Sequence, residues 1–209
     1  MKRPVLITAG ATRNPIDSMR VITANSSGQT GVWLASTLHH QGYVVDVLGS
    51  PRALTILPVE ISGQEYGSTR DLEGKMHDWV LQHPNGIVIH CAAVGDFECH
   101  IQDHQKIPSG QAITLNLYPS PKILDQIKGW SPSCILVSFK AAPPLTSNSD
   151  LLTIASKQLE RTNSDIVFAN VIERTNVDVL LVQSTENHLY HERADGLNAL
   201  VVALEQFKL

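Results

Sequence analysis

The residues best suited to chemistry sit where apolar runs end. The stretch Thr23-Ala24-Asn25-Ser26-Ser27-Gly28-Gln29-Thr30-Gly31 lies between the run Val5-Leu6-Ile7-Thr8-Ala9-Gly10 and a second one, Val32-Trp33-Leu34-Ala35 to Leu38, with helical spacing. A helix opening there leaves its first N–H groups without an internal acceptor and places the positive end of its dipole at the same point. Two hydroxyls and two glycines let the backbone approach a phosphate or carboxylate closely. The plain alternative is a helix cap, for which serine is a common choice. Further polar residues follow later runs: Gly10-Ala11-Thr12, Ala92-Ala93-Val94-Gly95-Asp96-Phe97, Lys140 after Phe139, and Asn170 after Ala169. Each has an ordinary structural use as well: Asp96 as a turn cap, Phe139 as core, Asn170 as a strand-end cap, and Lys106 as a solvated loop lysine.

The elements that must position these residues alternate. Val5-Ala9, Val44-Leu48, Ile87-Cys91, Ile135-Phe139 and Ile166-Ala169 read as strands, each nearly continuous in apolar character. Strands covered on both faces have that pattern, so they predict a parallel sheet flanked by helices. Helices are expected near 30–40, 69–83, 121–128 and 150–162, with Thr69 and Asp150 as caps and Gly42 and Gly129 as stops. The fold class is therefore α/β, a doubly wound, mainly parallel Rossmann-like sheet in which ligands bind beyond the carboxyl ends of the strands. Ala112-Tyr118, Val177-Val182 and Asn187-Tyr190 suggest a small antiparallel extension or flap. The segment Asp103-Gly110 reads as irregular, and within it Gln105-Lys106-Ile107-Pro108-Ser109-Gly110 has the punctuation of a loop able to close on a ligand. The Pro-rich stretch Ala142-Ser149 reads as a surface connection with some capacity to act as a lid.

Composition narrows the function. With 209 residues, 43% of them hydrophobic and 17% charged, the chain can bury a full core as one domain over 1–209. A net charge of −4 and a pI near 6.1 disfavour nucleic acid and acidic membranes as partners, which leaves small anions. No apolar run approaches the roughly 20 residues of a membrane span, and Met1-Lys2-Arg3-Pro4 leads straight into a strand, so a cytoplasmic location is expected. Three cysteines, Cys91, Cys99 and Cys134, lack the spacing of a zinc site. The histidines, including His39, His40, His100, His104, His188 and His191, are scattered, and no metal ligands are assigned.

A dinucleotide site is poorly supported. One glycine follows the first strand instead of G-x-G-x-x-G, and Gly49-Ser50 offers no acidic residue after the second. Tyr118 and Lys122 have the Tyr-x-x-x-Lys spacing of a dehydrogenase, but Pro119 and Pro121 between them forbid a shared helical face.

The run Val5-Leu6-Ile7-Thr8-Ala9-Gly10-Ala11-Thr12-Arg13-Asn14-Pro15-Ile16-Asp17, followed by Arg20 and Asn25-Ser26-Ser27-Gly28, resembles the opening of the phosphopantothenate-cysteine ligases, also called phosphopantothenoylcysteine synthetases. Ala92-Ala93-Val94-Gly95-Asp96-Phe97 is similar to that family's Ala-Ala-Val-Ala-Asp-Tyr, Lys106-Ile107 to its Lys-Ile-Lys-Lys, Val137-Ser138-Phe139-Lys140 to its strand end, and Ile166-Val167-Phe168-Ala169-Asn170 to its Ile-Val-Ala-Asn. The resemblance covers nearly the whole chain and implies the stand-alone form, without a preceding flavin-binding decarboxylase domain. It implies a ligase that joins 4'-phosphopantothenate and cysteine through an acyl nucleotide, with CTP or ATP as cosubstrate and Mg2+ bridging the phosphates. Carried over by position, the nucleotide-binding residues are Gly10, Ser27, Gly28, Ala92, Asp96, Lys106, Ser120, Pro121, Lys122, Ile123, Phe139 and Lys157. Lys106 and Asn25 take catalytic roles, and Arg20 and Asn170 touch the substrate. A homodimer is implied too, with Ala112-Tyr118 and Val177-Tyr190 near the interface.

The chain departs from the family pattern at Ala24, where the family usually has asparagine and Asn25 follows one residue later. Pro108 and Ser109 replace two lysines of the bacterial pattern, and Gln158 and Thr162 stand where bacterial members place nucleotide-binding lysines. Two other readings stay open: a catalytically silent nucleotide-binding homologue serving as subunit or regulator, and an NAD(P)-dependent oxidoreductase.

Overall fold

Val, Ile and Leu fill the central strands on both faces, so helices must cover both sides of the sheet. The computed structural model describes residues 2–99 and 106–207. The first half carries β1 (Val5–Ala9), β2 (Arg13–Pro15), β3 (Val21–Thr23), α1 (Gln29–His40), β4 (Val45–Gly49), α2 (Pro51–Leu54), β5 (Ser62–Glu65), α3 (Thr69–Gln82) and β6 (Ile87–His90). Then come β7 (Phe97–Cys99), β8 (Leu117–Pro119), α4 (Ile123–Trp130), β9 (Ile135–Ala142), α5 (Asn148–Thr162), β10 (Ile166–Val171), β11 (Val177–Val182), β12 (Asn187–Glu192) and α6 (Arg193–Ala203).

Eight of these strands form one sheet in the order β12-β11-β10-β9-β6-β1-β4-β5. Its six strands from β10 to β5 run parallel, while β11 and β12 are antiparallel additions at one edge. Successive side chains of a strand point to opposite faces. Val5, Ile7 and Ala9 accordingly pack with Leu34 and Leu38 of α1 and Leu197 and Leu200 of α6. Leu6 and Val88 pack on the other face with Leu72 and Met76 of α3 and Ile127 of α4. Each such large apolar side chain contributes about 1.5–3 kcal/mol on burial. Farther along that second face, Leu151 and Ala155 of α5 cover Val167, Ala169 and Leu180. No described helix is long and apolar enough to cross a membrane.

Several expected details are corrected by the structure. The second strand begins at Val45, because Val44 is 72% exposed. Ser68, not Thr69, caps α3 by accepting the Asp71 N–H at 3.2 Å, while the buried Thr69 hydroxyl donates to Thr12. Ser147, not Asp150, caps α5 in the same way, and Asp150 sits in the first turn. Gly129 lies inside α4, which ends one residue later at Trp130, whereas Gly42 does follow the end of α1, in a left-handed conformation. Of Ala112-Tyr118, only Leu117 and Tyr118 join a strand, β8, which pairs with β7 and not with the main sheet. The segments around 177–182 and 187–192 do form the expected antiparallel extension, added to the edge of the main sheet. Residues 143–147 form a short turn into the α5 cap. Of the expected irregular loop, 103–105 lie outside the described residues, as do His100 and His104.

Two glycines give opposite expectations for the same substitution. A Cβ on Gly31, in the first turn of α1, would lie 2.7 Å from the Ala9 Cβ and 3.2 Å from the Thr8 carbonyl oxygen, so the helix would have to lift off β1. Gly74, in the middle of α3, has nothing within 4 Å of that position. Gly31→Ala is predicted to destabilise by about 1–3 kcal/mol through overpacking, and Gly74→Ala to stabilise by about 0.5–1 kcal/mol through helix propensity. Denaturant unfolding of the two variants checks both signs, and a stable Gly31→Ala would refute the close packing of α1 on β1.

Candidate functional site

The strand order reverses at β1: the chain goes outward to β4 and β5 on one side, then returns to β6 on the other. Loops leaving the carboxyl ends of β1 and β6 therefore part at this point, the usual crevice of a doubly wound sheet. They stay joined at their bases, where Ala93 N–H donates to the Gly10 carbonyl at 2.8 Å and Thr12 N–H to the Ala93 carbonyl at 3.2 Å. Below lies a buried polar network. Asn14 Nδ2 donates to the Phe97 carbonyl at 2.8 Å and to Ser120 Oγ at 3.3 Å, and Gly95 N–H donates to Thr12 Oγ1 at 2.8 Å.

The start of α1 faces this crevice. Its N-cap is Gly28, left-handed at φ 81°, with no side chain capping the helix and no acidic residue in the first turn. This replaces the plain expectation of a serine cap. The Ser27 hydroxyl accepts only a long 3.4 Å bond from Gln29 N–H, and the first-turn N–H groups of Thr30 and Gly31 have no intrahelical acceptor. They open on a cavity of about 470 Å³ lined by Asn25, Ser26, Ser27, Gly28, Thr30, Ala92, Phe139, Lys140, Asn170, Asn176 and Arg193. Among the described residues Lys140 and Arg193 are its cations, and no carboxylate lines it. Arg193 donates to Thr30 Oγ1 at 3.1 Å, Asn170 Oδ1 at 3.3 Å and the Thr175 carbonyl at 3.2 Å. Its guanidinium lies 5.2 Å from the centre of the Phe168 ring, which in turn packs 5.0 Å from Phe139. Burial lowers the Arg193 pKa, but from so high a starting value that the charge persists. These features give the cavity the chemistry to hold an anion.

A second cavity of about 330 Å³ lies on the α4 and α5 side, lined by Ala92, Val94, Gly95, Asp96, Pro121, Lys122, Ile123, Phe139, Lys140, Gln158 and Arg161, with His90 at its base. Lys122 Nζ meets Asp96 Oδ1 at 2.5 Å, and Arg161 pairs with Asp125. Gln158 is held by bonds to Ser138 Oγ at 3.0 Å and the Phe139 carbonyl at 3.2 Å. Apolar walls with polar groups at the ends suit a nucleoside. The two cavities share Ala92, Phe139, Lys140 and Ala141.

The residues expected from sequence divide between these cavities. Ala92, Asp96, Pro121, Lys122, Ile123 and Phe139 line the second; Asn25, Ser27, Gly28 and Asn170 line the first. Gly10, Arg20, Lys106, Ser120 and Lys157 line neither. Gly10 shapes the floor, since at φ 93° a Cβ would strike Ser50. Ser120 is buried and accepts from Asn14 Nδ2, while Lys157 is exposed and its helix neighbours Gln158 and Arg161 line the cavity. Arg20 pairs with Asp17 at 2.5 Å. Burial would raise the Asp17 pKa, but N–H donors from Ile107, Met19 and Arg20 and the Arg20 guanidinium bring it down to about 2. The segment beginning at exposed Lys106 is thus tied through Ile107 to an aspartate that stays ionised. Tyr118 in β8 and Lys122 at the start of α4 share no helix, as their prolines require. Arg193 and His90 escaped the sequence reading: Arg193 opens a helix with no sequence signal, and His90 is hidden inside an apolar strand.

Close relatives agree with this architecture. A protein of Thermococcus kodakarensis named coenzyme A biosynthesis bifunctional protein CoaBC is 38% identical over 178 residues, covering 81% of this chain and 41% of that protein. Its namesake in Vibrio cholerae is 31% identical over 172 residues, covering 79% and 41%. The chain spans about two-fifths of the length of these curated relatives. The crystal structure of the DNA/pantothenate metabolism flavoprotein from Streptococcus pneumoniae matches with a TM-score of 0.86 at 26% identity, over 98% of this chain and 99% of that one. A Cab2 mutant in complex with phosphopantothenate-cysteine has the same fold, with a TM-score of 0.77 at 20% identity over 98% and 87% of the two chains. The model of the DNA/pantothenate metabolism flavoprotein C-terminal domain matches residues 1–199, and the chain belongs to that family.

Proposed function

We propose that this protein joins 4'-phosphopantothenate to cysteine through an acyl nucleotide, a step of coenzyme A synthesis. The observation that carries this reading is the wall shared by the two cavities, Ala92, Phe139, Lys140 and Ala141, because it lets the reacting ends of two bound molecules meet. The names of the relatives from Thermococcus kodakarensis and Vibrio cholerae place them in coenzyme A biosynthesis, which agrees with it.

The nucleoside of CTP or ATP occupies the cavity between Asp96 and Phe139, and its phosphates run toward Lys140 and the first turn of α1. The acyl substrate lies toward Asn170 and Arg193. A carboxylate oxygen of phosphopantothenate attacks the α-phosphorus, the bond to pyrophosphate breaks, and pyrophosphate leaves. The cysteine amine then attacks the acyl carbon, expelling the nucleoside monophosphate and losing a proton. Lys140 and the α1 N–H groups sit where negative charge collects in the first step. Among the described residues no three His, Cys, Asp or Glu side chains gather as a metal cage. Magnesium arriving on the triphosphate would be held mainly by phosphate oxygens and water, with Asp96 and Asp125, each now paired with a cation, as the carboxylates lining that cavity, and it would neutralise phosphate charge.

Asn25 favours a competent enzyme over a silent homologue. Ala24 faces a cavity with Arg13 and Arg52, whereas Asn25 borders both that space and the cavity at the start of α1, which supports its serving in the family asparagine's stead.

Three outcomes are expected. Protein supplied with phosphopantothenate, magnesium and CTP or ATP releases pyrophosphate, and adding cysteine yields one amide per pyrophosphate; folded, nucleotide-binding protein that releases none would refute a working ligase. In single-turnover pyrophosphate release without cysteine, Lys140→Ala and Lys106→Ala each slow the burst on the order of 10²-fold. An unchanged burst in Lys106→Ala would reduce that exposed lysine to a bystander, and an unchanged one in Lys140→Ala would move the chemistry off the shared wall. Finally, Phe97, Ile113, Leu115, Leu117 and Tyr118 are exposed together on and beside the β7–β8 hairpin, which supports a homodimer through that surface. Sedimentation at micromolar concentration gives a dimer on this reading, with Leu117→Glu shifting it to monomer.

A further inference from the structure

His90 ends β6 at the base of the nucleotide cavity and is 6% exposed. Its Nδ1 lies 2.9 Å from Thr8 Oγ1, on the neighbouring strand. Thr8 is fully buried, and its hydroxyl oxygen already accepts the Ala92 N–H at 3.0 Å. A hydroxyl carries one proton and must give it to something. Among the described residues Nδ1 of His90 is the only acceptor within reach of it, so Thr8 donates and Nδ1 accepts. The imidazole proton is therefore on Nε2, and Nε2 has no hydrogen-bond partner among the described residues. Burial also brings the His90 pKa down to about 4, which keeps the ring neutral at working pH.

Tyr43 Oη alone is sealed off without a partner among the described residues, so Nε2 of His90 is an unpaired donor with access to the cavity that its side chain lines. We propose that His90, oriented by Thr8, donates its Nε2–H to an acceptor atom on the nucleoside part of the bound nucleotide and so helps select it. Being uncharged, the ring suits a base carbonyl, a ring nitrogen or a ribose oxygen, while the phosphates go to Lys140 and the start of α1. This inference rests on the nucleotide-dependent reaction proposed above, and it adds a side-chain contact that discriminates against ligands lacking an acceptor at that point.

Two measurements test it. Titration calorimetry with CTP and ATP, each with magnesium, gives the affinity of wild type, His90→Leu and Thr8→Val. His90→Leu is expected to weaken the preferred nucleotide by about 10-fold, the scale of one buried hydrogen bond, and to leave phosphopantothenate affinity within about 2-fold. Thr8→Val keeps the shape but removes the orienting proton, and a smaller loss confined to the nucleotide is expected. Nitrogen-15 NMR of the wild-type histidines serves independently of any folding defect in the variants. It should show a neutral ring protonated at Nε2, with that resonance moving when nucleotide is added and still when phosphopantothenate is added alone. A proton found on Nδ1, or an Nε2 signal indifferent to saturating nucleotide, overturns the proposal. So does undiminished nucleotide affinity in folded His90→Leu. Wild-type protein that binds neither nucleotide overturns the proposed function as well, which separates the two failures.

Discussion

Everything at the site depends on a place where three backbone segments meet with room only for hydrogen atoms. A Cβ on Gly28 would lie 2.5 Å from the Ala53 Cβ and 3.0 Å from the Gly10 nitrogen, and Gly31 is pressed as tightly on Ala9. The glycines cost conformational entropy on folding. In return the first turn of α1 lies flush against the end of β1, with α2 closing its flank. The positive end of the helix then becomes part of the cavity wall and not a solvated terminus.

Charge around the crevice is organised in two different ways. Asp96–Lys122 and Asp125–Arg161 are partly exposed pairs of the kind that contribute little to stability, about 0–1 kcal/mol, and can exchange partners readily when a ligand arrives. Arg193 is the opposite case. Hydrogen bonds to Thr30, Asn170 and the Thr175 carbonyl, with the Phe168 ring beneath, hold its planar fork in one orientation before any ligand binds. Asp17 belongs with Arg193: its depressed pKa means that its tether to Ile107 is intact above the ordinary aspartate range near 4 and is lost only as pH falls toward about 2.

The sheet was legible in the sequence because Val5–Ala9, Ile87–His90 and Ile166–Val171 are buried on both faces and need apolar residues throughout. The same logic hid β5, whose Ser62–Glu65 is an exposed polar edge held by backbone bonds to β4. It also hid α6, where Val202 is exposed beside buried Val201 and the helical stripe is blurred. Residues carried by contiguous motifs, such as Ser27-Gly28 and Pro121-Lys122-Ile123, line the two cavities. Those that depend on which side of a helix or strand faces the crevice did not: Lys157 points away while Gln158 and Arg161 point in, and Arg193 arrives from the far end of the chain. The Thr8–His90 pair is a cross-strand register effect between positions 82 residues apart, and no linear spacing announces it.

Phe139 belongs to both cavities and also packs on the ring that supports Arg193. A side chain with two tenants transmits whatever one of them does to it. If the nucleotide settles Phe139 into the position that the acyl substrate prefers, the second molecule binds more tightly by some factor, and thermodynamic reciprocity requires the substrate to tighten the nucleotide by the same factor. On the proposed ligase reading, the wall shared by the two cavities is thus also a communication line, along which each half of the site senses that the other is filled.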